Sequence, residues 1–161
     1  MTTLQPNSHN CFVCGVKNDI GLKLRFFETG PGEITVEHIV PPQYQGYPGI
    51  VHGGITAAML DEVLGRVHMG ADPHNPNFMY TAKLSVQYRK PVPTGVPIKI
   101  VGRAGRRRKR SAVSTGAIYG PDGELLADAE AILVNVPDDA YDLSILETLG
   151  WRVYSDEEMQ P

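Results

Sequence analysis

The residues best equipped for chemistry stand in one stretch, 51–65, which begins Val51-His52-Gly53-Gly54 and then runs apolar to Gly65, broken by Thr56, Asp61 and Glu62. Its length and composition predict a helix that is mostly apolar around its circumference and wrapped by other structure. Backbone amides at the Gly53-Gly54 end, reinforced by the helix dipole, suit negative charge developing on a carbonyl oxygen. A carboxylate further along suits a general base or a nucleophile. Burying an unpaired acid costs several kcal/mol, so two adjacent acids in such a helix imply use or pairing. Asp61 lies seven residues, about two turns, from Gly54, which puts both on one face together with Ala58 and Gly65. Glu62 points about 100° away and stands second to Asp61 as a candidate base.

The same spacing bears on oligomerisation. At a rise of about 1.5 Å per residue, Gly54 and Asp61 are about 10 Å apart along the helix, whereas an attacking group must come within about 3 Å of the carbonyl carbon. One copy of the helix cannot easily supply both functions. Two antiparallel copies can, and the smooth strip of Gly54, Ala58 and Gly65 would let them approach closely.

His-Gly-Gly followed by an apolar helix with an acid nine residues after the His resembles the signature of hotdog-fold acyl-CoA thioesterases, in particular the PaaI-like and 4-hydroxybenzoyl-CoA thioesterase group. Two further stretches agree: Cys11-Phe12-Val13-Cys14-Gly15 with Asn18 and Gly21-Leu22, and the run from Thr81 to Pro91. The resemblance covers roughly residues 11–136 and implies hydrolysis of an acyl-CoA thioester in homodimers, or dimers of dimers, with active sites shared between chains. It implies that the Gly54 N–H, helped by Gly53, polarises the thioester carbonyl, and that Asp61 activates water or forms an acyl-enzyme. It places His52 at the thioester or leaving group and Thr81 as the residue that orients water. Glu62 is carried as a substrate contact. No metal or redox cofactor is implied; coenzyme A enters as part of the substrate.

Thr81 presents a difficulty. In the alternating run 78–89 it shares parity with Lys83 and Ser85, the polar face, while Ala82, Leu84, Val86 and Tyr88 form the apolar one. Either a bulge near Tyr80 resets the alternation, or the site reaches over the strand end from a partner chain.

The elements that must position these groups follow from pattern. Residues 22–28 and 33–40 read as strands around a turn at Thr29-Gly30-Pro31-Gly32, with Ile34, Val36 and His38 on one face of the second. A Gly- and Pro-rich loop, 43–51, leads to the helix. Strands follow at 78–89, 97–106, 111–119 and 124–136, the last with Ala127, Ala129 and Ala131 as a small-residue face for close approach to a helix. The expected fold is α+β, an antiparallel sheet of five to six strands curled around one long helix. A single domain spans 1–161, with its core at 11–136 and a short helix and tail in 137–161. The first ten residues and the acidic end read as loose.

A chain of 161 residues with a net charge of −3 has no global pull toward nucleic acid or membrane. The start lacks a basic segment followed by an apolar run, so it does not read as a secretory signal, and the expected location is the cytoplasm. The basic run Arg106-Arg107-Arg108-Lys109-Arg110 is either a solvated hairpin tip or a contact for the phosphates of coenzyme A. Cys11 and Cys14 fit structural packing, half a zinc site with His9, or a redox pair; the resemblance favours packing. Rival functions are a hydratase on the same fold, for which His68 stands at an unsuitable spacing from Asp61, and a non-enzymatic acyl-CoA sensor, for which no DNA-binding segment remains.

Overall fold

The computed structural model describes residues 2–137, 139–140 and 142–159. Its strands are β1 (Thr3–Leu4), β2 (Phe27–Gly30), β3 (Glu33–Ile39), β4 (Met79–Tyr88), β5 (Pro97–Arg107), β6 (Ser111–Tyr119) and β7 (Leu125–Asn135). They form one seven-stranded antiparallel sheet in the order β1-β2-β3-β5-β6-β7-β4. The helix α1 (Gly53–Arg66) lies across the sheet against β3 to β7, and a short α2 (Ile145–Thr148) follows the last strand. This is the hotdog arrangement, with one or two more strands than the sequence pattern suggests.

Close packing between helix and sheet rests on small residues. Ala127, Ala129 and Ala131 of β7 are buried on the helix side. Where α1 crosses β5 and β6 even a methyl group is too much: a Cβ at Gly102 would stand 2.6 Å from Val63 Cγ1, and one at Gly116 would stand 3.0 Å from Leu64 Cδ2. The helix buries Thr56, Met59, Leu60, Val63, Leu64 and Arg66. Gly54 is exposed, and Ala58, Asp61 and Gly65 are half-buried, so one flank stays open. The sheet wraps the helix on the side of β3 to β7 and leaves bare the smooth strip that the sequence pattern marks for close approach.

Two segments read as loose are ordered. Gln5 and Asn7 are buried, and Asn7 Nδ2 donates to the carbonyls of Cys14 and Leu24 at 2.8 and 2.9 Å. Trp151 and Tyr154 are buried near the far end, and Asp156 pairs with Arg25. Residues 22–26 form no strand: Lys23 has a φ of +55°, and the segment bonds to the 11–14 turn and to Gln5 rather than to a sheet neighbour, so the paired strand begins only at Phe27. Within the stretch 137–161, expected to hold a short helix and a tail, α2 spans Ile145–Thr148, and Tyr141 lies outside the described residues. No helix among the described residues is long and apolar enough to cross a membrane.

His38 shares the inward face of β3 with Ile34 and Val36, and its Nε2 is buried with no partner among the described residues. Burial lowers its pKa from 6.5 to about 4. Between those values the unfolded chain binds a proton that the folded chain refuses, so stability rises with pH across this window and is lost as pH falls. Discounted for partial exposure, the effect is about 2 kcal/mol. Replacing His38 by Leu should flatten the change in urea midpoint between pH 7 and pH 4; an unchanged dependence would contradict the assignment.

Candidate functional site

The open flank of α1 begins at its N-terminus. His52 caps the helix: its Nδ1 accepts the Gly54 N–H at 3.0 Å, and its carbonyl accepts from Ile55 and Thr56. A ring nitrogen that accepts carries no proton, so Nε2 is the protonated nitrogen of the neutral ring and points its N–H elsewhere. The Gly54 amide is thus already engaged, while the Gly53 N–H meets no acceptor among the described residues. Tyr88, at the end of β4, donates its hydroxyl to the Gly53 carbonyl at 2.8 Å and ties the helix entry to the sheet.

Beside this entry a cleft of about 670 Å³ is lined by residues including Tyr47, Ile50, His52, Gly53, Tyr88 and Lys90. That volume suits a small-molecule ligand. Arg89 also lines the cleft and pairs with Asp128. Arg89 and Lys90 stand near the end of the Thr81–Pro91 run, and nothing in their sequence pattern marks them as ligand contacts.

Two turns along α1, Thr81 Oγ1 donates to Asp61 Oδ1 at 2.7 Å. The parity problem is resolved by a bulge in β4, two residues after Tyr80. Thr81 pairs with Leu133 and Lys83 with Ile132, so Ala82 is the extra residue. The bulge puts Thr81 on the same side as Leu84 and Val86, whose β7 partners Ala131 and Ala129 are buried against the helix. Thr81 therefore reaches Asp61 of its own chain. Strand β4 ends the sheet, and among the described residues no strand pairs with its outer edge, which lies beside the open helix flank.

Glu62 turns away from this strip. Its Oε1 accepts from Arg66 Nε at 2.9 Å, and Arg66 Nη2 stands 2.9 Å from the same oxygen without forming a directed hydrogen bond. Arg66 is 1 % exposed and donates through Nη1 to the Pro6 carbonyl at 2.5 Å. Its guanidinium lies over the Phe26 and Trp151 rings at 4.2 and 5.0 Å. Beyond Glu62 lie Cys11, with its thiol pKa lowered to about 7 chiefly by a hydrogen bond from Cys14, and Cys14, whose own pKa is raised by that bond and by burial.

The basic cluster sits at the opposite end of β4 from the cleft. Arg107 is in contact with Met79 Sδ at 2.9 Å, two residues from Thr81, and Arg106 and Arg108 are exposed beside it. Along a strand, Met79 to Tyr88 spans about 30 Å, so within one chain the arginines neighbour Asp61 and Thr81 rather than His52. His68 places Nε2 3.2 Å from the Val113 carbonyl, and burial lowers its pKa.

A model of the thioesterase superfamily matches residues 48–127, which contain the helix, the bulged strand and the arginines. The acyl-coenzyme A thioesterase THEM4 of Bos taurus is 32% identical over 83 residues, 51% of this chain and 32% of that protein. The match thus spans about a third of the relative's length. Among solved structures, a thioesterase superfamily protein superposes with a TM-score of 0.72 at 28% identity, covering 80% of this chain and 61% of that one. A Streptococcus mutans UA159 protein solved bound to acetyl CoA superposes with a TM-score of 0.63 at 19% identity, covering 70% of this chain and 88% of the other, a likeness of fold.

The two acids should separate in stability. Glu62→Gln weakens the partner of a buried cation and should cost about 3 kcal/mol in urea unfolding. Asp61→Asn should cost well under 1 kcal/mol, since its carboxylate is half-buried and held by one hydroxyl. Equal losses would mean that Asp61 is structural.

Proposed function

The chain belongs to the thioesterase superfamily, and from that premise we propose that it hydrolyses acyl-CoA thioesters to a free acid and coenzyme A. The observation that carries the reading is the Asp61 carboxylate on the open helix flank. Thr81 holds Oδ1 at 2.7 Å, which leaves Oδ2 for a water or a carbonyl carbon. Its chemistry is either general-base activation of that water or direct attack to form an acyl-enzyme.

The carbonyl seats at the N-terminus of α1 in a second copy of the chain. There the Gly53 N–H is available directly, and the Gly54 N–H is gained when the oxyanion displaces the His52 ring from it. His52 Nε2–H then serves the departing sulfur. Two chains meet along the open edges of β4, which extends the sheet and turns the strips of Gly54, Ala58 and Gly65 toward each other. Each site takes Asp61 and Thr81 from one chain and the helix entry from its partner; two such dimers can stack further.

Phosphates of coenzyme A contact Arg106, Arg107 and Arg108, which stand near Thr81 in the chain that supplies the base. Lys90, at the cleft beside His52, is a second cation for the same group. The reaction takes no metal and no redox cofactor, and its setting is the cytoplasm. The hydratase alternative gains nothing from His68, which faces the Val113 carbonyl.

Release of free thiol from a panel of acyl-CoA esters, run beside hydration of crotonyl-CoA, tests the reading. Thiol release is expected; hydration without thiol release would overturn it. Asp61→Asn should lower kcat by at least ~10², the scale of a lost general base, and Glu62→Gln by much less. Replacing Arg106, Arg107 and Arg108 by Ala should raise KM for acyl-CoA while sparing short thioesters that lack the nucleotide. Equal effects on both substrates would remove the phosphate role.

A further inference from the structure

On the flank of α1 that Asp61 does not occupy, three ligand-type side chains converge. Cys11 and Cys14 flank a tight turn closed by the Gly15 N–H donating to the Cys11 carbonyl at 2.8 Å. Gly15 is obligatory there, since a Cβ would stand 2.3 Å from that oxygen. Within the turn the Val13 and Cys14 amides lie 3.3 and 3.4 Å from Cys11 Sγ. Two N–H donors aimed at one sulfur stabilise charge on it more than they stabilise a neutral thiol. Glu62 arrives from the helix with Oε2 3.9 Å from Cys11 Sγ. A ligand atom from each of Cys11, Cys14 and Glu62 lies within 4.8 Å of the other two.

We propose that Cys11, Cys14 and Glu62 bind a zinc ion, with its fourth position open to water in the cavity of about 390 Å³ that these residues line together with Ser8, Asn10 and Trp151. The distances are close to what zinc requires. Zn–S and Zn–O bonds of about 2.3 and 2.0 Å at tetrahedral angles set sulfur and oxygen about 3.5 Å apart, so the 3.9 Å separation must shorten by a few tenths of an ångström. Arg66 supports the arrangement from behind. By holding Glu62 Oε1 at 2.9 Å it turns Oε2 toward the sulfurs. Charge also closes: two thiolates, one carboxylate, zinc and the Arg66 guanidinium sum to zero. Binding releases the two thiol protons to solvent, and no oxidant is involved.

Glu62 also decides between zinc and the other fates of the pair. Oxidation of the two thiols to a disulfide releases two protons and two electrons, needs no carboxylate, and is hindered by a negative charge beside the thiolate that must attack. The ion pair with Arg66 places the carboxylate here through Oε1 and leaves Oε2 facing the two sulfurs, the oxygen a divalent cation would take. The site does not depend on the proposed hydrolysis, because it lies on a different face of α1 and joins the N-terminal segment to the helix.

The full chain should be purified under reducing conditions, incubated with zinc chloride, gel-filtered and assayed for metal by mass spectrometry. Close to one zinc per chain is expected. Cys11→Ser should abolish retention, and Glu62→Gln should weaken it at least tenfold. Cobalt(II) in place of zinc should give a thiolate-to-metal charge-transfer band, absent in Cys11→Ser. On the unmutated protein, bound zinc should slow alkylation of Cys11 by iodoacetamide at least tenfold, a readout that needs no variant to fold. Zinc content no higher than in Cys11→Ser, a cobalt spectrum without the band, or alkylation indifferent to zinc would each overturn the site. Zinc binding by Glu62→Gln at full affinity would overturn the three-ligand assignment.

Discussion

A straight helix holds Gly54 and Asp61 about 10 Å apart, and much of the architecture answers to that separation. The helix cannot shorten, because Val63 and Leu64 are locked over Gly102 and Gly116 at distances that leave no room for a side chain on the sheet. Its N-terminus is fixed by the His52 cap and by Tyr88 on Gly53. The distance between the proposed carbonyl seat and the proposed base is thus a rigid property of one chain, which is the ground for proposing a site shared between two chains. The open flank and the outer edge of β4 stand where the second chain would have to lie.

The two acids of α1 divide its surface. Asp61 faces the open strip and is held by a single hydroxyl from the bulged strand. Glu62, one residue on, is bound to a buried arginine lying over two aromatic rings. One adjacent pair thereby places the proposed base on one side and a contribution to cohesion on the other. Arg66 is costly to bury alone, and its neighbours explain why the N-terminal segment and Trp151 pack where they do.

Periodicity made much of this legible in the sequence. The helix stood out by its apolar run and flanking glycines, and Ala127, Ala129 and Ala131 marked the face on which it would rest. Thr81 was legible only as a conflict: its parity pointed outward while its type matched an inward role, and the bulge at Ala82 resolves that conflict. Gln5, Asn7 and the Cys11-Cys14-Glu62 convergence were not legible, because they depend on single hydrogen bonds between residues far apart in the chain. Polar residues buried by such bonds leave no repeating trace, which is why segments that read as loose proved ordered. The bare flank of α1 was legible as the strip of Gly54, Ala58 and Gly65, because small residues at helical spacing mark a face suited to close approach.

The claim that active sites are shared between chains is tested most directly by complementation. Gly54→Val should obstruct the carbonyl seat, since even a Cβ there stands 3.1 Å from His52 Nδ1, and Asp61→Asn removes the base. Each homodimer should be nearly inactive. After the two are unfolded together and refolded, random pairing makes half of the dimers mixed, each with one intact composite site and one doubly damaged site. Activity should then recover to about a quarter of that of the unmutated protein. If mixed dimers are present by mass spectrometry and the activity stays at the level of the parents, the shared site is contradicted.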